Sequence, residues 1–119
     1  MEYVNIILFS LIALFIVQRF IPVKGVRNIS TLQLKNELKD KKKQFIDVRT
    51  VGEFKSYHIP GFTNIPLHSL SQNIKGLSKD KEIFVICQSG MRSQKASKIL
   101  VKNGFTHVVN VKGGVSSWR

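Results

Sequence analysis

The chain has 119 residues, room for one domain of ordinary size. Its 43% hydrophobic content excludes disorder over most of its length, and its single cysteine excludes an internal disulfide and the paired-cysteine zinc motifs. The formal net charge of +12 points to an anionic partner, either nucleic acid or a membrane surface.

The first segment favours the membrane. From Tyr3 to Ile21 the chain reads YVNIILFSLIALFIVQRFI, with Asn5 and Ser10 its only strongly polar residues before Gln18. Nineteen helical residues reach roughly 28 Å, close to a hydrocarbon core of about 30 Å. Tyr3 and Phe20 stand near the ends, where aromatic rings favour the interface, and Pro22 stops the helix. The start lacks a basic region and no small-residue cleavage site follows, so a removed signal peptide is disfavoured. Residues 1–23 are therefore expected to form a single transmembrane anchor. Arg19, Lys24 and Arg27 follow the span while only Glu2 precedes it, which places the rest of the chain, 24–119, on the cytoplasmic side of the cell membrane. Lys41, Lys42 and Lys43 read as a solvated loop.

Beyond the anchor, strand and helix patterns alternate. Ser30-Thr31-Leu32-Gln33 has the form of a capping box, and Leu34 and Leu38 follow at helical spacing. Residues 44–48 read as a strand, 51–57 as a short helix, and His58-Ile59-Pro60-Gly61 as a turn. Residues 83–87 form a continuous apolar run, as expected of a strand buried on both faces. From Arg92 to Asn103, Ala96, Ile99 and Leu100 share one helical face and Lys95, Lys98 and Lys102 the other, with Gly104 as the stop. Residues 108–111 read as a last strand, and 115–119 as a short closing helix after Gly113-Gly114. This alternation predicts an α/β fold: an open parallel sheet with helices on both faces.

In such a sheet, ligands bind beyond the carboxyl ends of the strands. Cys87 is placed there, between a strand and the helix that begins near Arg92. The N–H groups of Gln88, Ser89, Gly90, Met91 and Arg92 can curl into an anion-binding nest backed by the helix N-terminus. Gly90 permits the backbone angles this needs, and Arg92 offers a cation with a donor fork. Helix N-termini and basic neighbours stabilise thiolates, so the pattern marks a nucleophilic cysteine rather than an inert core residue. His58, His68 and His107 have no ligand spacing, so no metal is expected.

The sequence resembles a single-domain rhodanese from roughly Val26 to its end. Ile46-Asp47-Val48-Arg49, Glu53-Phe54, His58-Ile59-Pro60-Gly61 and Asn64-Ile65-Pro66-Leu67 carry the first part of the likeness. Cys87-Gln88-Ser89-Gly90-Met91-Arg92-Ser93 is similar to the active-site loop, and Val111-Lys112-Gly113-Gly114 with Trp118 to the closing segment. The anchored short form is similar to bacterial membrane-tethered members. The resemblance implies a cofactor-free sulfurtransferase in which Cys87 takes sulfur from thiosulfate or a persulfide donor and passes it to a thiol or protein acceptor. Gln88 to Arg92 would be the binding cradle, while Asp47, Arg49 and His58 would serve the fold. Two other readings belong to the same fold. One is a partner-binding or sulfur-relay module without turnover. The other is a cysteine-based phosphatase, but those enzymes place five residues between Cys and Arg, against four here. No aromatic-plus-basic recognition motif supports nucleic acid as the anionic partner.

Overall fold

The computed structural model describes residues 2–20 and 24–119. It opens with helix α1 (Glu2–Phe20), whose side chains from Glu2 to Val17 are exposed. Among the described residues no helix is long and apolar enough to cross a membrane. This corrects the expected transmembrane anchor over residues 1–23. The physical reason lies in where the polar residues fall. Asn5 interrupts the run near its start and Gln18 and Arg19 near its end, which leaves residues 6–17. Those twelve residues reach roughly 18 Å at 1.5 Å each, against a hydrocarbon core of about 30 Å. The expected cell-membrane location and cytoplasmic orientation rested on that span and fall with it. Ile21 and Pro22, where the span was expected to end, lie outside the described residues.

The rest follows the predicted alternation: β1 (Val26–Ile29), α2 (Thr31–Glu37), β2 (Gln44–Asp47), α3 (Val51–Ser56), β3 (Thr63–Asn64), α4 (Leu70–Asn73), β4 (Ile83–Ile86), α5 (Met91–Lys102) and β5 (Val108–Val111). The strands form one sheet in the order β1-β5-β4-β2-β3, and every neighbouring pair is parallel. Parallel neighbours require crossovers, and the helices supply them.

Side-chain alternation sorts the sheet into two cores. Phe84 and Ile86 of β4 join Phe45, Val109 and Val111 on the face covered by Leu34 of α2, Phe54 of α3 and the closing residues Val115 and Trp118. Ile83, Val85 and Cys87 point the other way, with Ile46 and Val108, and are covered by Leu70 of α4 and by Ala96 and Leu100 of α5. The period of two thus puts the Cys87 side chain on the α5 side. Ser30 caps α2 as its spacing predicts: its hydroxyl accepts from the Gln33 N–H at 3.2 Å while Gln33 Oε1 accepts from the Ser30 N–H at 2.9 Å.

Candidate active site

β4 and β2 run side by side in parallel and end level, with Asp47 opposite Ile86. Past the end of β4, Cys87 opens a loop that closes at Gly90, the N-cap of α5. Gly90 adopts φ +111°, a left-handed conformation that side-chain-bearing residues rarely take. That turn swings the Gly90 N–H onto Cys87 Sγ, to which it donates at 3.0 Å. Ser93, one turn into α5 and buried, stands 3.4 Å from the same sulfur and donates its hydroxyl to the Gly90 carbonyl at 3.1 Å. Cys87 is only 1% exposed. Its sulfur nevertheless has polar neighbours on its loop side, unlike a cysteine enclosed by hydrocarbon.

The closing segment fixes the loop from outside. Val115 N–H donates to the Cys87 carbonyl at 2.9 Å, and Ser116 donates to the Gln88 carbonyl through its N–H at 3.0 Å and its hydroxyl at 2.7 Å. With both carbonyls held outward, the trans peptide geometry turns the N–H groups of Gln88 and Ser89 the opposite way. Among the described residues no acceptor engages either of those N–H groups. The first N–H groups of α5 lack intrahelical partners by helix geometry. The cradle is therefore built from backbone donors, backed by the α5 dipole. Close approach makes this possible: a Cβ on Gly114 would lie 2.3 Å from the Cys87 oxygen.

A second group of residues braces the loop from β2. Asp47 and Arg49 are buried, and the Arg49 guanidinium meets the Asp47 carboxylate at 2.8, 3.0 and 3.1 Å. Arg49 also donates to the Tyr57 carbonyl at 2.7 Å and to the Gln88 side-chain oxygen at 3.1 Å. Gln88 Nε2 in turn donates to Ser116 Oγ at 3.1 Å. Gln88 is thus a strut between the β2 pair and the closing segment. His58 stacks on Phe54 with ring centres 3.8 Å apart, and its Nδ1 lies 2.9 Å from the Phe54 carbonyl.

Arg92 does not project its fork into open solvent. Its Nη1 donates to Glu53 Oε1 at 2.7 Å and its Nη2 to Glu53 Oε2 at 3.0 Å. Glu53 is held from its other side by Thr50, whose N–H and hydroxyl donate to Oε1 at 3.1 and 3.0 Å. Arg92, against the opposing effect of burial and helped by Thr50, holds the Glu53 carboxyl down at about 2. Arg92 itself is raised above its ordinary value, first by its bonds to Glu53 and further by attraction from Cys87 and Asp47. The loop residues singled out from sequence, Cys87 to Arg92, are thus brought together on one turn. Ser89 and Met91 are exposed on its rim. Sequence reasoning placed Ser93 in the loop without giving it a role beside the sulfur, and missed Ser116 and the carboxylate partner of Arg92. The last had a local signal: Thr50-Val51-Gly52-Glu53 is itself a capping box, which orders Glu53 at the start of α3.

Comparison with known proteins shows the family of the domain. A family model described as "Rhodanese-like domain" matches residues 30–119. The chain belongs to the rhodanese-like domain family. The Bacillus subtilis protein YqhL is 44% identical over 66% of this chain and 62% of its own length. The match to a second Bacillus subtilis relative covers 43% of that protein, so the aligned region falls short of two thirds of either relative. Thiosulfate sulfurtransferase GlpE of Shewanella oneidensis is 32% identical over 81% of this chain and 95% of that one. Among solved structures, the crystal structure of a rhodanese-like domain protein from Staphylococcus aureus superposes with a TM-score of 0.72 at 35% identity, covering 78% of this chain and 91% of that one. This rhodanese-like domain is therefore thiosulfate sulfurtransferase-like in sequence and shares its fold with solved members of the family.

Proposed function

We propose that this domain transfers sulfane sulfur and that Cys87 carries it as a persulfide. The observation that supports this most directly is the 3.0 Å hydrogen bond from the Gly90 N–H to Cys87 Sγ at the head of α5. The thiolate is the form that attacks, and this bond sets a backbone N–H directly against the reacting sulfur. In the first step Cys87 Sγ attacks the outer sulfur of thiosulfate. An S–S bond to Cys87 forms, the S–S bond of thiosulfate breaks, and its electron pair leaves on sulfite. The terminal sulfur of the persulfide keeps the negative charge, and the N–H groups of Gln88 to Arg92 hold it. In the second step an acceptor thiolate or cyanide attacks that terminal sulfur and the electron pair returns to Cys87. Both steps are sulfur-to-sulfur or sulfur-to-carbon displacements that need no cofactor, of the kind seen in thiol–disulfide exchange. Ser93 is suited to follow the charge: its hydroxyl can accept from the thiol or rotate to donate to the thiolate at 3.4 Å.

The test uses the full chain and Cys87→Ser. Thiosulfate treatment should add the mass of one sulfur atom to the wild-type protein, and cyanide should then release thiocyanate and remove that mass. Cys87→Ser should show neither. A wild-type protein that gains no sulfur from thiosulfate or a persulfide, or a serine variant that still forms thiocyanate, would overturn the reading.

A further inference from the structure

Arg92 is the cation of the Cys87 loop, yet both ends of its fork are engaged by Glu53, at 2.7 and 3.0 Å. Glu53 is not a mobile surface carboxylate that happens to lie nearby. Two donors from Thr50, at 3.0 and 3.1 Å, fix the same oxygen that accepts from Arg92 Nη1. A carboxylate held down at about 2 also stays ionised at every physiological pH, so protonation does not release the pair. The other charged pair behind the loop, Asp47 with Arg49, is buried and internally matched. The fixed side-chain charges around the cradle therefore cancel. What remains for an anion is the row of backbone donors and the α5 dipole, equivalent to roughly half a positive charge. That suits one negative charge better than two.

We infer that Glu53 is a positioning residue that sets donor choice: by holding Arg92 in a two-point ion pair it withholds that guanidinium from the substrate, and the loop then favours singly charged persulfides over the thiosulfate dianion. This rests on the sulfur-transfer reading above. For a persulfide donor RSS⁻, the bond between Cys87 Sγ and the outer sulfur forms, the donor S–S bond breaks, and RS⁻ leaves with the electron pair. The same reaction centre thus serves both donors, and only the compensation of charge differs.

The experiment measures single-turnover sulfur loading of Cys87 by mass spectrometry on the full chain, with thiosulfate and with cysteine persulfide as alternative donors. Glu53→Gln keeps the side-chain shape and removes the charge that binds Arg92. It should raise the thiosulfate-to-persulfide rate ratio about tenfold, the effect of one charge-assisted hydrogen bond regained by the dianion. Added salt should depress the thiosulfate rate of the variant more steeply than that of the wild type. Glu53→Asp, which keeps the charge but shortens the reach to Arg92, should move the ratio the same way by less, and covers the case in which the glutamine variant does not fold. Adding Arg92→Met to Glu53→Gln should return the ratio to the wild-type value or below. A purely structural role for Glu53 would lower both rates together and leave the ratio unchanged, and that result would sink the inference while leaving sulfur transfer intact. Failure of both donors to load the wild-type protein would instead sink the sulfur-transfer reading, and this inference with it.

Discussion

At the amino ends of the strands Glu82 accepts from Arg27 at 2.9 Å and pairs with Lys43 at 3.1 Å, on side chains between 21% and 54% exposed. At the carboxyl ends Asp47 pairs with Arg49 at 2.8 Å, and those side chains are 0% and 3% exposed. The same residue types thus meet opposite conditions. Water screens the first set, so each pair there adds little. The second set is dry, and its charges need each other. Around it Gly90 and Gly114 bring backbone close to the Cys87 loop: the Gly90 N–H reaches Cys87 Sγ at 3.0 Å, and a Cβ on Gly114 would lie 2.3 Å from the Cys87 oxygen. The difference teaches that the carboxyl end is organised to hold a geometry, while the amino end fastens β1, β2 and β4 together. Breaking each end separately should separate activity from stability.

The largest effect is expected from the buried pair. Asp47→Ala leaves the Arg49 guanidinium charged and without its carboxylate. Removing one partner of a buried ion pair costs about 3–5 kcal/mol, and urea unfolding should show a loss of that size. Because Arg49 also holds Gln88 at 3.1 Å, sulfur loading of Cys87 should fall as well under conditions where the variant is still folded. Normal loading in folded Asp47→Ala would mean that the strut does not reach the nucleophile.

Gly114→Ala comes next. The added Cβ would stand 2.3 Å from the Cys87 oxygen and 2.6 Å from the Gln88 oxygen, and φ +61° with ψ −160° is a conformation that glycine alone adopts readily. Overpacking and backbone strain each cost about 1–3 kcal/mol. The closing segment must retreat, which releases the carbonyls of Cys87 and Gln88 and lets the cradle N–H groups turn. Sulfur loading should drop by more than the stability loss alone explains. A variant that loads Cys87 at the wild-type rate would show that the segment from Val115 onward does not shape the loop.

Which of these features the sequence reveals depends on their range along the chain. The capping box at Ser30, strand β5 over 108–111 and the apolar stretch of β4 are local patterns and were legible as such. Cys87, Gly90 and Arg92 were legible because strand, turn and helix start follow one another within a few residues. The contact of Glu53 with Arg92 joins positions 39 apart, and so does that of Arg49 with Gln88. Nothing local specifies either, since both depend on β2 and β4 being neighbours. β1, with the sequence VRNI, and the two-residue β3 carry too little pattern to be read alone. They are strands because β5 and β2 offer them paired partners. The N-terminal helix shows the opposite failure. Its nineteen-residue length suggested a full span, but Asn5, Ser10, Gln18 and Arg19 interrupt the apolar run.

The smallest effect is expected at the amino end, and it carries the comparison's other half. In Glu82, burial opposes ionisation, but Lys43 and Arg27 outweigh it and hold the carboxyl below its ordinary value. A depressed carboxylate contributes stability above its unfolded value near 4.5 and loses it as pH falls below that. Glu82→Gln should therefore cost less than about 1 kcal/mol at neutral pH, less still in high salt, and the difference from wild type should close as the solution is acidified. The same variant should load sulfur onto Cys87 at the wild-type rate, because the Glu82 side chain meets Arg27 and Lys43 at the amino ends of β1 and β2 and, among the described residues, bonds to no residue of the loop. If Glu82→Gln slowed loading as much as it lowered stability, the two ends of the sheet would be one cooperative unit, and the division of labour between them would not hold.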